Sequence, residues 1–291
     1  MWTRLALGFA WCVHFLPSRW RAGLGHMIGR ICFVVIRPRR HVVLINLAKC
    51  FPELSSTQRH ALARQHFTQL GRALMDTAVA WFGSAEQVKS LVKLEGFEQA
   101  LALHNAGTPL ILLCPHFIAL ELATTRLAIE HEAASFFSHQ KDKVFDDFLI
   151  QRRTRFRPIR LVSRQDGVKP AIRAIRDRLP LVFPGDLDFG PRDAVFAPFF
   201  GVPAATITAL PRLAKITRAT VLAVVIEQHS ATAGYTVTIS APFADFPTDS
   251  IESDVARVNA FIESRVAPIP AQYYWVHKRF KTRPPGEAKF Y

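Results

Sequence analysis

A chain of 291 residues can bury a substantial core, as one large domain or two small ones. Its 49% hydrophobic content and positive mean hydropathy place it at the greasy end of soluble proteins, or among enzymes that rest on a bilayer. Lys and Arg outnumber Asp and Glu by 37 to 23, a formal charge of +14, so an anionic partner is expected: nucleic acid, anionic phospholipid, a phosphorylated lipid or an acidic carrier protein.

From the N-terminus, Leu5 to Leu16 is apolar except for His14, and Gly23 to Ile36 is apolar except for His26 and Arg30. Both stretches fall short of the roughly 20 residues of a comfortable membrane span. No small-residue cleavage site follows the first of them, which argues against a signal peptide. Two helices embedded in one leaflet, or one imperfect span, fit better, with Trp2, Trp11 and Trp20 at the interface and Arg37, Arg39 and Arg40 as a basic anchor. A helix pair packed on the protein's own core is the other reading. Gly25 and Gly29 have the spacing for close helix packing, whereas Gly23-Leu-Gly25 is no dinucleotide fingerprint, since Ile28 occupies the third glycine position. The four cysteines (Cys12, Cys32, Cys50, Cys114) have no CxxC spacing and no matching His cluster, so neither a zinc site nor a disulfide framework is expected.

Residues 41–50 continue the anchor, Pro52 breaks it, and Ser55-Ser-Thr-Gln caps a long helix to about Phe82. Beyond Val92 short apolar runs alternate with amphipathic helices. Strands are expected at Val92–Glu95, Leu110–Cys114, Ala134–Phe137, Ile159–Val162, Leu181–Phe183, Val221–Ile226 and Tyr235–Ser240. Helices are expected at Ile118–His131, Lys143–Arg155, Val168–Arg178, Ile207–Ile216 and Ile251–Val266. The alternation predicts an α/β fold, a mostly parallel central sheet flanked by helices, behind the N-terminal helical membrane-binding segment. The division expected is residues 1–50 as anchor and 51–291 as a catalytic domain.

Two stretches carry chemistry. In Leu110-Ile-Leu-Leu-Cys-Pro-His116-Phe-Ile-Ala-Leu-Glu121 a buried strand gives way to a helix, at the sheet end where open α/β proteins bind ligands. Five residues apart on one helix, His116 and Glu121 would diverge by about 140°. With His116 in the turn ahead of the helix, its ring can instead fold back toward Glu121, which would make an oriented general base. The alternative is a capping His beside a surface Glu. The second stretch, Phe-Pro-Gly-Asp186-Leu-Asp188-Phe-Gly-Pro-Arg192-Asp193, again ends a strand in a turn. The apolar segment after it (Val195, Phe196, Phe199, Phe200, Val202) suits an acyl channel, a membrane-facing rim or core packing. Asp186 and Asp188 are candidate turn caps, and no third ligand supports a metal.

Pro-His-Phe-x3-Glu, then Asp-x-Asp-Phe-Gly-Pro-Arg-Asp, then Phe-x-Pro-Phe-Phe-Gly-Val-Pro-Ala-Ala-Thr resembles the lipid A late acyltransferase family. The similarity extends to Asn46-Leu-x2-Cys-Phe-Pro-Glu53-Leu and to Gln272-Tyr-Tyr-Trp275-Val-His277-Lys-Arg-Phe-Lys-Thr-Arg283-Pro-Pro-Gly286, over nearly the whole chain. The residue before His116 is Pro115, where the wider glycerolipid acyltransferase superfamily often has Asn. The resemblance implies an enzyme at the cytoplasmic face of a bacterial inner membrane. It would take an acyl group from acyl carrier protein and esterify a hydroxyl of a phosphorylated lipid A precursor, with His116 as general base and Glu121 as its orienting partner. The thioester co-substrate is already activated, so neither a cofactor nor an enzyme nucleophile is called for, and no Gly-x-Ser-x-Gly occurs. The resemblance assigns Arg164 to the developing oxyanion or an acceptor phosphate. Asp186, Asp188 and Arg192 are assigned to the acceptor pocket.

Three other readings stay open, the first a membrane structural or carrier-docking protein without catalysis, against which the intact His116 and Glu121 pair argues. An acyltransferase with the same chemistry on another acceptor, such as an aminolipid or a polyene, would differ in pocket shape rather than in these motifs. A nucleic-acid binder would suit the charge, but the aromatics sit in apolar runs and no binding motif appears, so no nucleic-acid partner is expected.

Overall fold

A computed structural model describes all 291 residues, apart from the side chain of Arg164. Four helices come first, α1 (Trp2–His14), α2 (Ser18–Val35), α3 (Arg37–Cys50) and α4 (Ser56–Phe82). Ser55 caps α4 as expected: its hydroxyl accepts from the Gln58 backbone N–H while the Gln58 side chain accepts from Ser55 N–H. Ser84 and Gln87 repeat the device at α5 (Ala85–Leu91). The chain then alternates through β1 (Val92–Glu95), α6 (Phe97–Asn105), β2 (Leu110–Leu113), α7 (Leu120–Glu130), β3 (Ala133–Phe137), α8 (Lys143–Arg153), β4 (Ile159–Ser163), α9 (Lys169–Arg176) and β5 (Leu181–Phe183). After β6 (Ala194–Phe199) and β7 (Val202–Ile207) come α10 (Ala209–Thr217), β8 (Thr220–Gln228), β9 (Tyr235–Ile239) and α11 (Ile251–Val266).

The seven-stranded sheet has the order β1-β9-β8-β2-β5-β3-β4. β8, β2, β5, β3 and β4 run parallel, and β9 turns back antiparallel to β8 with β1 parallel beside it. The mostly parallel α/β architecture is therefore as expected. β2 is buried at every position, which follows from its unbroken Leu-Ile-Leu-Leu run between covering helices.

The apolar segment after Asp193 forms a hairpin of its own, and none of Val195, Phe196, Phe199, Phe200 and Val202 lines the cavity described below. β6 and β7 pair antiparallel as a separate hairpin, with Phe199 buried in the main core. Core packing accounts for most of its greasiness, although Phe196 remains exposed.

At the N-terminus no described helix is long and apolar enough to cross a membrane. α2 packs instead along α4, and the two backbones touch where both lack side chains. A Cβ at Gly29 would lie 2.2 Å from the Phe67 carbonyl oxygen, and one at Gly71 would lie 2.2 Å from the Gly25 carbonyl oxygen. Gly29→Leu is therefore expected to force α2 off α4 and lower stability by about 1–3 kcal/mol. Denaturant unfolding would show it, and an unchanged midpoint would contradict the contact. Deeper in the same interface Asp76 of α4 accepts from Arg21 Nε at 2.8 Å, Arg72 Nε at 3.2 Å and the Tyr235 hydroxyl at 2.8 Å, all buried. This network ties α2 and α4 to β9.

Candidate active site

β2 and β5 are neighbours in register, Leu113 opposite Phe183, and the Cys114 N–H continues the ladder to the Phe183 carbonyl at 3.0 Å. Three residues past each strand end stand His116 and Asp186. The parallel register brings them together: the His116 backbone N–H donates to Asp186 Oδ2 at 2.9 Å, and ring Nδ1 lies 2.5 Å from Asp186 Oδ1. A carboxylate only accepts, so Nδ1 carries the proton and Nε2 is left as the acceptor nitrogen. The Tyr273 hydroxyl also donates to Asp186 Oδ2, at 2.8 Å.

Asp186 is fully buried. Burial by itself pushes its carboxyl up, but the charge of His116 and the hydrogen bonds from His116 and Tyr273 outweigh it and hold the pKa at about 2. Asp186 therefore stays ionised at every pH at which the protein would work.

Glu121 does not hold His116. Its carboxylate accepts from Arg153 Nη2 at 2.7 Å, from Arg153 Nε at 3.1 and 3.2 Å, and from Trp81 Nε1 at 3.3 Å. No hydrogen bond or ion pair joins it to His116 among the described residues. The physical reason is the parallel register, which puts Asp186 beside His116, while α7 carries Glu121 across to α8 and its Arg153. Burial lowers the Arg153 guanidinium, and the adjoining Glu121 carboxylate more than reverses this, so its pKa ends raised. Both His116 and Glu121 nevertheless face one cavity of about 810 Å³.

That cavity opens at the carboxyl ends of the parallel strands, where ligands of open α/β sheets bind. Its interior is apolar, with Leu120, Leu127, Phe136, Leu161, Leu213 and Ile216 among its walls, and Arg153, Arg192 and Arg212 stand around it. Its size and lining are those of a site for a ligand with an apolar body and few polar groups.

The other predicted residues divide. Arg192 lines the cavity and is exposed. Asp186 stands behind His116 instead of lining the pocket. Asp188 does not line it either: its carboxylate is buried and accepts from the Thr282 N–H at 2.6 Å, the Thr282 hydroxyl at 2.8 Å and the Gly190 N–H at 2.9 Å. It pins the C-terminal tail to the β5 loop. The predicted role of Arg164 lies outside the described residues. Among the described residues no cluster of three or more His, Cys, Asp or Glu side chains is arranged to hold a metal.

The Gln272–Trp275 stretch threads through the site. Phe117 bridges Tyr273, the Ile118 N–H donates to the Gln272 carbonyl at 2.9 Å, and the Tyr274 N–H donates to the His116 carbonyl at 2.9 Å. Gln272 exchanges two bonds with the Gln228 backbone at the end of β8, of 2.7 and 2.9 Å. The His66 ring Nδ1 supports the turn from behind, donating to the Ala271 carbonyl at 2.9 Å. His277 Nε2 accepts from the Asp188 N–H at 3.2 Å.

Burial depresses His66 to about 4, against a smaller upward pull from the Ala271 hydrogen bond. Burial also depresses His277 to about 4, aided by the positive charge of His116 and Arg279 and opposed by Asp186 and Asp188. Both rings are neutral in the folded protein yet titrate near 6.5 once unfolded, so the unfolded chain takes up protons first as pH falls. Their stabilisation is complete above about pH 6.5 and is lost between there and about pH 4, by roughly 2–3 kcal/mol each. Unfolding free energies measured from pH 7 to 4.5 should fall steeply and flatten in the His277→Gln variant. A level profile in the parent would contradict this assignment.

A family model described as bacterial lipid A biosynthesis acyltransferase matches residues 1–282. The chain is 29% identical over 285 residues to the lipid A biosynthesis lauroyltransferase of Escherichia coli (strain K12), covering 98% of this chain and 92% of that protein. It is 28% identical over 290 residues to the palmitoleoyltransferase of the same organism, covering 99% and 94%. With the myristoyltransferase of that organism it shares 30% identity over 276 residues, covering 94% and 85%.

Proposed function

The chain belongs to the bacterial lipid A biosynthesis acyltransferase family, and on that basis we propose that it moves an acyl group from an acyl carrier protein thioester to a hydroxyl of a phosphorylated lipid A precursor. The observation that carries the chemistry is a single imidazole at the mouth of an apolar cavity, with Nδ1 held by a buried carboxylate and Nε2 left as an acceptor.

In the reaction, Nε2 of His116 takes the proton of the acceptor hydroxyl as its oxygen attacks the thioester carbonyl carbon. Ionised Asp186 supports the imidazolium that forms. The tetrahedral intermediate carries its negative charge on the former carbonyl oxygen. Arg153 is the donor proposed for that charge: Nε and Nη2 are committed to Glu121, and Nη1 has no protein acceptor among the described residues. Collapse breaks the carbon–sulfur bond, and the departing thiolate takes the proton back from His116. The roles proposed are then base for His116, orientation for Asp186, and anchoring of Arg153 for Glu121. Arg192 is a candidate contact for an anionic acceptor group at the rim.

The N-terminal helices support a place on an anionic bilayer, the inner leaflet of the cell membrane in this reading. α1 and α2 expose Trp2, Leu5, Phe9, Trp20, Ile31 and Val34, and no Asp or Glu occurs before Glu53. Since no described helix spans, the proposed mode is insertion into one leaflet.

The test is to incubate the purified protein with labelled acyl carrier protein thioester and a lipid A precursor, and to read the mass of the lipid. Gain of one acyl group by the precursor, lost in His116→Ala, is the expected result. An unchanged precursor with acyl label on another lipid would overturn the acceptor, and no transfer to any lipid would overturn the function.

A further inference from the structure

α9 starts at the cavity mouth, where Gly167 and Val168 line the opening. Its inner side is Ala171, Ala174 and Ile175, all buried. On the opposite side Lys169, Arg173 and Arg176 follow at spacings of four and three, which stacks them into one exposed stripe. α10 packs against α9 and contributes Arg212 and Ile216 to the same rim. Two aliphatic side chains stand exposed among these charges, Val168 at 45% and Ile216 at 55%.

The nearby carboxylates do not neutralise the stripe. Asp177 is paired with Arg160 at 2.5 Å, Asp249 with Lys215 at 3.1 Å, and Asp193 lies 3.8 Å from Arg212. Asp166 is the remaining acid, exposed before the helix begins. Lys169, Arg173 and Arg176 have no carboxylate partner among the described residues.

We propose that this rim docks the acidic carrier protein that delivers the thioester, with the α9 stripe against an acidic helix of the carrier and the acyl chain entering past Val168 and Ile216. The inference rests on the carrier-borne donor proposed above and adds the surface that receives it. Charge complementarity selects a protein over the alternatives. The exposed apolar residues that suit a bilayer cluster on α1 and α2, which pack on α4, whereas the α9–α10 rim offers dense charge around only two aliphatics. The stripe also runs roughly 12 Å outward from the cavity edge, a footprint for a helix rather than for a single phosphate.

The experiment compares the parent with Arg173→Glu/Arg176→Glu, using acyl carrier protein thioester and the matching acyl-pantetheine thioester as donors. The KM for the carrier-borne donor should rise about tenfold or more with kcat within about twofold, and pantetheine turnover should not change. Titration of the unacylated carrier should show binding weakened in parallel, and 0.5 M salt should erase most of the difference. An unaltered KM for the carrier thioester overturns the proposal. So does an equal loss with both donors, which would place the stripe at the acceptor, or weaker binding to anionic phospholipid vesicles with carrier binding intact. A parent protein that rejects carrier thioester while using coenzyme A thioester would refute the donor reading itself, and the docking surface with it.

Discussion

Asp186→Asn is expected to lower kcat for acyl transfer by about 10²–10⁴, close to the loss from removing the imidazole altogether. The reason is tautomeric. An asparagine offers His116 Nδ1 either an amide oxygen without charge or an NH₂ group, and the second would turn Nδ1 into an acceptor and move the proton to Nε2. A protonated Nε2 cannot take the acceptor's proton. Loss of the carboxylate also removes the charge that supports the imidazolium. KM for either substrate should change little, because Asp186 is fully buried behind the ring. The thermal midpoint of the variant distinguishes lost chemistry from a lost fold. Glu121→Gln should behave differently: its effect runs through Arg153, so it should be shared with Arg153→Met and not add to it. Rates of single and double variants check that grouping, and additive losses would contradict it.

Asp76→Ala should be the most destabilising single substitution in the N-terminal half, by about 3–5 kcal/mol. Asp76 is 1% exposed and neutralises two guanidiniums that are themselves buried, Arg21 and Arg72. Removing it leaves two positive charges in a low-dielectric interface, with the Tyr235 hydroxyl deprived of its acceptor. Arg21 and Arg72 retain bonds to the carbonyls of Leu16, His229 and Ser230, but neutral acceptors do not compensate for the lost charge. Replacing all three charged residues by apolar ones of similar volume should recover most of the loss. Denaturant midpoints of both variants test this, and a single variant as stable as the parent would show that the network contributes little.

The α/β alternation was legible because strand and helix periods differ and the strand ends are punctuated by Pro115, Pro184 and Gly185. The seven strands of the main sheet lie close to where their apolar runs put them, and Ser55–Gln58 announced α4. The β6–β7 hairpin was hidden, since Phe199, Phe200 and Val202 read as greasy regardless of whether they face a ligand or a core. His116 and Asp186 were both visible as residues at strand ends. Their partnership was not, because it depends on β5 being the neighbour of β2, and strand order is a long-range property that no local spacing encodes. Equal offsets of three residues from the two strand ends were the available signal. Arg153, Trp81 and Tyr273 were missed for the same reason: each reaches its partner from a distant element. The spacing of His116 and Glu121 suggested a bond between them, whereas Glu121 is held by Arg153 and the two side chains only face the same cavity.

Whether His116 acts through Asp186 is measured most directly by a double-mutant cycle on single-turnover acyl transfer with His116→Ala, Asp186→Asn and both together. If the two side chains form one unit, the double variant will be no slower than His116→Ala alone. Losses that multiply would mean that Asp186 contributes independently of the ring, and would contradict the account.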